Sequence, residues 1–199
     1  MKPTRSTIHR AALCALLATL ALTEGCASTT GTGPYQAQGE QQRDTAKATA
    51  LTNQAEPVMG SDPKRAEELL KQALTADLYY GPAHNNLGVL YLRQQKLYEA
   101  AGEFEWARKV LPGHPDPRFN LALTLEGAGR TQDAIAMYDT ALAVYPGHIE
   151  TIQALARLQV RSGKVDSRTP ELLREVAMRG QSDQWKEWAR RQMTSRGVE

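Results

Sequence analysis

Residues 84 to 112 read HNNLGVLYLRQQKLYEAAGEFEWARKVLP, and the spacing inside this stretch decides the fold. Leu87 and Tyr91 stand four apart, Ala100 and Phe104 stand four apart, and Ala107 follows three later. Each half of the stretch therefore places its apolar residues on one face of a helix. The same kinds of residue return at an offset of 34. Ala66, Ala100 and Ala134 form one series, and Ala73, Ala107 and Ala141 a second. Leu70, Phe104 and Tyr138 form a third and Leu87, Leu121 and Leu155 a fourth, while Pro112 and Pro146 each open a Pro-Gly-His turn. Agreement of this many series on one period is the mark of a repeat architecture.

The unit His84-x-x-Leu87-Gly88-x-x-Tyr91, followed by Ala100-x-x-x-Phe104 and Pro112, resembles the tetratricopeptide repeat. It departs from the family at His84, where a Trp is usual. The resemblance covers about residues 44 to 180, is strongest over 81–114 and 115–148, and is degenerate over 44–80 and 149–180. It implies an all-α, right-handed α-solenoid of stacked antiparallel helix pairs. Gly88, Ala100 and Ala107 are small, so neighbouring helices approach closely there while Phe104 fills the gap. Helix starts are signalled by Asp62-Pro63, Asp116-Pro117 and Thr169-Pro170, each a capping residue before proline. Helices are predicted near 44–57, 62–76, 82–94, 97–110, 116–128, 131–144, 149–162, 170–179 and 182–194. An insertion falls around Ser167 to Thr169, because Arg168 occupies a periodic alanine place and Ala177 lies beyond the next one. Over 181–199, Trp185 and Trp188 are three apart in a segment that reads as a capping helix and tail, both indoles turned inward. Two exposed indoles forming a partner site are the alternative.

Outside the repeats, the N-terminus has an export layout. Lys2, Arg5 and Arg10 precede the largely apolar Ala11 to Leu22. Those 12 residues span about 18 Å as a helix, short of the roughly 30 Å hydrocarbon core, so residues 1–25 read as a signal peptide. Gly25 before Cys26 resembles a bacterial lipoprotein processing site, which implies lipidation of Cys26 and attachment to the envelope, the outer membrane favoured. Thr23 and Glu24 depart from that pattern. The alternative is ordinary cleavage after Ala27, giving a soluble periplasmic protein. Residues 26–43 hold almost no apolar side chain and form a flexible tether, whose last seventeen residues span about 20 to 25 Å as a coil.

The whole chain of 199 residues carries 24 Lys and Arg against 22 Asp and Glu, too even a balance for a nucleic-acid partner. The export segment holds three of the basic residues and one acidic, leaving 21 of each. Both cysteines, Cys14 and Cys26, precede the repeats, which rules out a disulfide framework, zinc ribbons and thiol catalysis in the body. No G-x-S-x-G, H-E-x-x-H, C-x-x-C or phosphate-loop pattern occurs, so neither catalysis, a cofactor nor a small-molecule substrate is indicated. His114 and His148 recur at equivalent turns, but repeats stack about 10 Å apart, too far for two ligands of one zinc ion. His84 reads as a partly buried helix residue. Glu67 and Glu68, or Glu103 and Glu105, read as solvated helix faces.

In tetratricopeptide proteins the first helices of successive repeats line a concave groove for an extended peptide or a partner helix. Matched by position, that groove holds Asn85, Asn86, Val89, Leu92 and Arg93. Asp116, Phe119, Asn120, Leu123 and Glu126 follow, and then Glu150, Gln153, Arg157 and Arg161. Asn86 and Asn120 are 34 apart and suit hydrogen bonding to a peptide backbone; the alternative is that they tie adjacent helices together. The family's carboxylate-gripping clamp needs polar or basic residues at places that hold Val89, Glu150 and Ala154 here. A partly apolar ligand with acidic groups toward Arg93, Arg157 and Arg161 fits better. The resemblance thus implies a non-catalytic adaptor or scaffold with protein partners, of the kind that serves pilus or secretin assembly or cell-wall enzymes.

Overall fold

The computed structural model describes residues 43–197, and every regular element among them is helical. The signal peptide, Cys26 and the tether up to residue 42 lie outside the described residues. The helices are α1 (Thr45–Ala55), α2 (Pro63–Ala76), α3 (Gly81–Arg93), α4 (Leu97–Val110) and α5 (Asp116–Gly127). They continue as α6 (Thr131–Val144), α7 (Ile149–Ser162), α8 (Thr169–Arg179) and α9 (Asp183–Thr194). A short 3-10 turn, Glu56–Val58, lengthens the connection inside the first pair. Each helix packs on the next, and α1 with α3, and α3 with α5, touch as first helices of successive pairs. The described residues form an α-solenoid of stacked helix pairs.

The periodic positions are the core. Ala66, Ala73, Ala100, Ala107, Ala134 and Ala141 are fully buried, as are Leu70, Phe104, Tyr138, Leu87 and Leu155. Full burial of each large apolar side chain is worth roughly 1.5–3 kcal/mol, so a 34-residue recurrence of such positions repeats the same stabilisation in each unit. Gly88 marks a close approach inside a repeat: a Cβ placed there would lie 2.6 Å from the Phe104 ring. In the next unit Ala122, buried, stands in the place of Gly88 and Tyr138 in that of Phe104.

Local signals are used unevenly. The Asp44 and Asp62 carboxylates accept from the amides of Lys47 and Arg65 and cap α1 and α2. Asp116 and Thr169, expected as caps, are instead the first residues of α5 and α8, and their side chains are used elsewhere. Thr169 donates its hydroxyl to Gln159 Oε1 at 2.9 Å and accepts from the Asp166 amide. Within a pair the turns 94–96 and 128–130 are short, whereas 163–168 carries the inserted residues ahead of α8. Each of these turns contains a left-handed residue, with φ of 60° at Gln95, 75° at Gly129 and 67° at Gly163. These positions are 34 apart, a further series of the same period that is hidden in the sequence because Gln95 stands where the other two are glycine.

Candidate functional site

The face shared by α3, α5 and α7 has two chemically distinct parts. Toward the N-terminal end it is built from amides. Asn120 donates Nδ2–H to Asn85 Oδ1 at 3.0 Å, joining α5 to α3, and Asn86 donates to Glu56 Oε1 at 3.1 Å. The periodic amides therefore tie neighbouring elements together rather than projecting in parallel. Val89, Leu92, Phe119 and Leu123 are partly buried and pack against the core clusters, leaving a strip of apolar surface on this face. Arg93 is exposed.

Toward the C-terminal end the face is charged. Arg157 and Arg161 both donate an Nη2–H to Glu126 Oε1, each at 2.9 Å, and the Tyr138 hydroxyl donates to Glu126 Oε2 at 3.0 Å. From the sequence the two arginines are expected to be open to an acidic ligand; the structure gives both an internal carboxylate, and the trio retains one positive charge. Burial, reinforced by the neighbouring Glu126 charge, pushes the Tyr138 phenol well above its ordinary pKa. It stays protonated and acts as a donor. Arg157 Nε is buried without a hydrogen-bond partner.

Gln153, expected in the groove, is only 3% exposed. Its Oε1 accepts from the Gln181 amide at 2.7 Å and its Nε2 donates to Gln181 Oε1 at 3.1 Å. Gln181 in turn donates to Glu150 Oε1. These bonds seat the turn before α9 on α7, where a first helix of a further pair would lie. Trp185 and Trp188 are half-buried there, edge to face at 5.4 Å, packed partly on the core and partly open to a cavity lined by Arg157 and Gln184. The indoles are thus neither fully inward nor fully exposed.

The histidines also depart from expectation. His84 is completely buried, its Nδ1 2.7 Å from Glu103 Oε2 and its Nε2 2.8 Å from the Leu78 carbonyl. Glu103, expected in solvent, is buried with it. His114 and His148 both face Asp116: His148 Nε2 is 3.2 Å from one carboxylate oxygen and His114 Nδ1 3.6 Å from the other. No group of three His, Cys, Asp or Glu suited to a metal ion occurs among the described residues. No helix among them is long and apolar enough to cross a membrane.

Comparison with known proteins agrees with this architecture. The tetratricopeptide repeat family model matches residues 60–105 and 86–149. Tetratricopeptide repeat protein 8 of Mus musculus is 24% identical over 98 residues, which are 49% of this chain and 19% of the relative. The chain thus matches about a fifth of the length of that relative. Among solved structures, the first repeat domain of Spaghetti (RPAP3), bound to the HSP90 peptide SRMEEVD, superposes with a TM-score of 0.58 at 17% identity. That match covers 63% of this chain and 99% of that one. A mutant O-GlcNAc transferase of Thermobaculum terrenum gives 0.61 at 22% identity, over 75% of this chain and 27% of that one. At these identities the structural likeness speaks for the fold.

Proposed function

Taking tetratricopeptide repeats over residues 60–149 as the premise, we propose that this protein is a non-catalytic adaptor that holds a partner segment on the face of α3, α5 and α7. The observation that carries the reading is the apolar strip of Val89, Leu92, Phe119 and Leu123, bordered by exposed Arg93 on one side and the Arg157–Glu126–Arg161 trio on the other. Apolar area of this kind supplies affinity, and the flanking charge selects orientation and partner. The peptide-bound neighbour supports a peptide ligand. A chaperone tail is the weaker fit, because Val89, Glu150 and Ala154 stand where its carboxylate clamp needs polar or basic groups. The partner is instead a protein segment with an apolar stripe and acidic flanks.

The site of action we propose is a bacterial envelope, with the chain anchored through a lipid on Cys26 and the repeats held near the membrane by the tether. Gly25-Cys26 and the polar run behind it support this. Crosslinking in cells, followed by identification of the captured protein, tests the adaptor reading when repeated with Arg93→Glu combined with Phe119→Ala. Loss of the same crosslinked partner with the variant still folded supports the face; unchanged capture places binding elsewhere. Membrane fractionation of Cys26→Ala tests the anchor: release into the soluble fraction is expected, and retention would sink it. A soluble wild-type protein would favour cleavage after Ala27.

A further inference from the structure

The cavity between α7 and α9 is not part of the apolar strip. Gln184, Trp185 and Trp188 fall on one side of α9, and Arg157 of α7 closes the opposite wall. The two indole planes meet at 84°, so their faces form an apolar corner. The cavity measures about 290 Å³, at the lower limit of ligand pockets, and so admits one or two side chains rather than a cofactor. Arg157 supplies the charge. One of its terminal nitrogens is engaged by Glu126, while its Nε is buried with no acceptor. The acids of α9 are already neighboured by cations, Asp183 by Lys186 at 3.5 Å and Glu187 by Arg190 at 3.9 Å. The unmatched charge at the cavity is therefore positive.

We infer that this corner is an anchor pocket for a partner segment in which one apolar side chain stands directly beside a carboxylate. The apolar group sits against the indoles of Trp185 and Trp188, the carboxylate meets the Arg157 guanidinium, and Gln184 offers an amide to the backbone between them. The inference rests on the adaptor reading and narrows it: the pocket fixes the register of a segment that the apolar strip alone would let slide. Capping helix and binding wall are then the same element, because the indoles that close the last core cluster also leave their outer faces open.

The test is an NMR titration of the purified full chain, read at the indole N–H resonances of its three tryptophans. The probe is the N-acetylated dipeptide leucyl-aspartate, with N-acetyl-leucinamide and sodium acetate as its two halves. Saturable shifts are expected for Trp185 and Trp188 but not for Trp106, with each half at least several-fold weaker than the whole. Arg157→Gln should weaken the dipeptide by about tenfold, the scale of one charge-assisted hydrogen bond. Arg65→Gln on α2, which pairs with Glu68 and does not line the cavity, should leave it unchanged. Absence of shifts at Trp185 and Trp188, equal binding of N-acetyl-leucinamide, equal loss in both arginine variants, or a response to N-acetylglucosamine in place of the dipeptide each overturns the pocket. Crosslinking with Arg93→Glu and Phe119→Ala judges the face separately. A failed titration with capture still abolished by those changes removes the pocket alone, and unchanged capture removes the face.

Discussion

His84 and Glu103 form a buried pair, Nδ1 to Oε2 at 2.7 Å, at the place where tetratricopeptide repeats usually carry a tryptophan. The indole has not vanished from the neighbourhood: Trp106 of α4 lies against the imidazole, nearly parallel at 9° with centroids 5.6 Å apart. His84 Nε2 faces the Leu78 carbonyl at 2.8 Å, so both ring nitrogens of this buried imidazole are engaged. Glu103→Ala should therefore lower stability by about 1–3 kcal/mol by removing the carboxylate that His84 Nδ1 faces, measured as the free energy of urea unfolding. Unchanged stability would mean that the pair contributes nothing net.

Gly88→Ala gains helix propensity of about 1 kcal/mol but forces a methyl into the Phe104 ring, buried and unable to swing into solvent. A net loss of about 1–2 kcal/mol is expected. Phe104→Leu in the same chain should restore part of it, and strict additivity of the two changes would argue against the contact.

Gln95 holds a left-handed backbone that its counterparts 34 and 68 residues on assign to glycine. Gln95→Gly should stabilise by up to about 1 kcal/mol, because relief of the strain exceeds the added freedom of the unfolded chain. A lower melting temperature would show that the Gln95 side chain has a contact worth more than the strain.

Asp77 anchors the N-terminal edge of the repeats. It accepts from Arg43 Nε at 3.0 Å, from the Thr45 hydroxyl at 2.7 Å and from the Tyr79 amide at 3.0 Å. Burial works to raise its pKa, but these bonds outweigh it and hold the carboxyl below its ordinary value. The stabilisation is thus fully present above about pH 4, the unfolded value, and fades as pH falls through the lower folded one. A melting-temperature series through the acid range should show Asp77→Asn losing less stability than the wild type on acidification. Parallel curves would refute it.

Glu126→Gln should free both Arg157 and Arg161 from a full charge and raise affinity for acidic peptides on that face severalfold, at low salt above all. Fluorescence anisotropy with an acidic peptide probe reads this directly. If affinity falls, Glu126 is presenting the arginines to the ligand rather than competing with it.

Among the described residues, the number and bounds of the helices and the buried series at Ala100, Phe104, Ala134 and Tyr138 were legible in the sequence because backbone periodicity imposes them: a residue 34 positions on meets the same neighbours. The candidate site was legible as a surface and not as a set of contacts. Asn85 and Asn120 are 35 apart and meet because side chains of adjacent first helices lean toward each other, which no strict period records. Gln153 matched a groove position, yet the turn at Gln181, 28 residues on, is bonded over it.

The sequence by itself determined that this is a solenoid of helix pairs, with small residues at the crossings and no conventional catalytic motif, since those properties follow from local spacing and residue type. Tertiary structure decided how the charges are used. Whether Arg157 and Arg161 stand open or answer to Glu126, whether Glu103 is solvated or holds His84, and whether Trp185 and Trp188 fill a core or edge a pocket all depend on distances across repeats. Electrostatic and hydrogen-bond energies fall steeply over a few ångströms, so the same residues in the same order carry different roles until the helices are stacked.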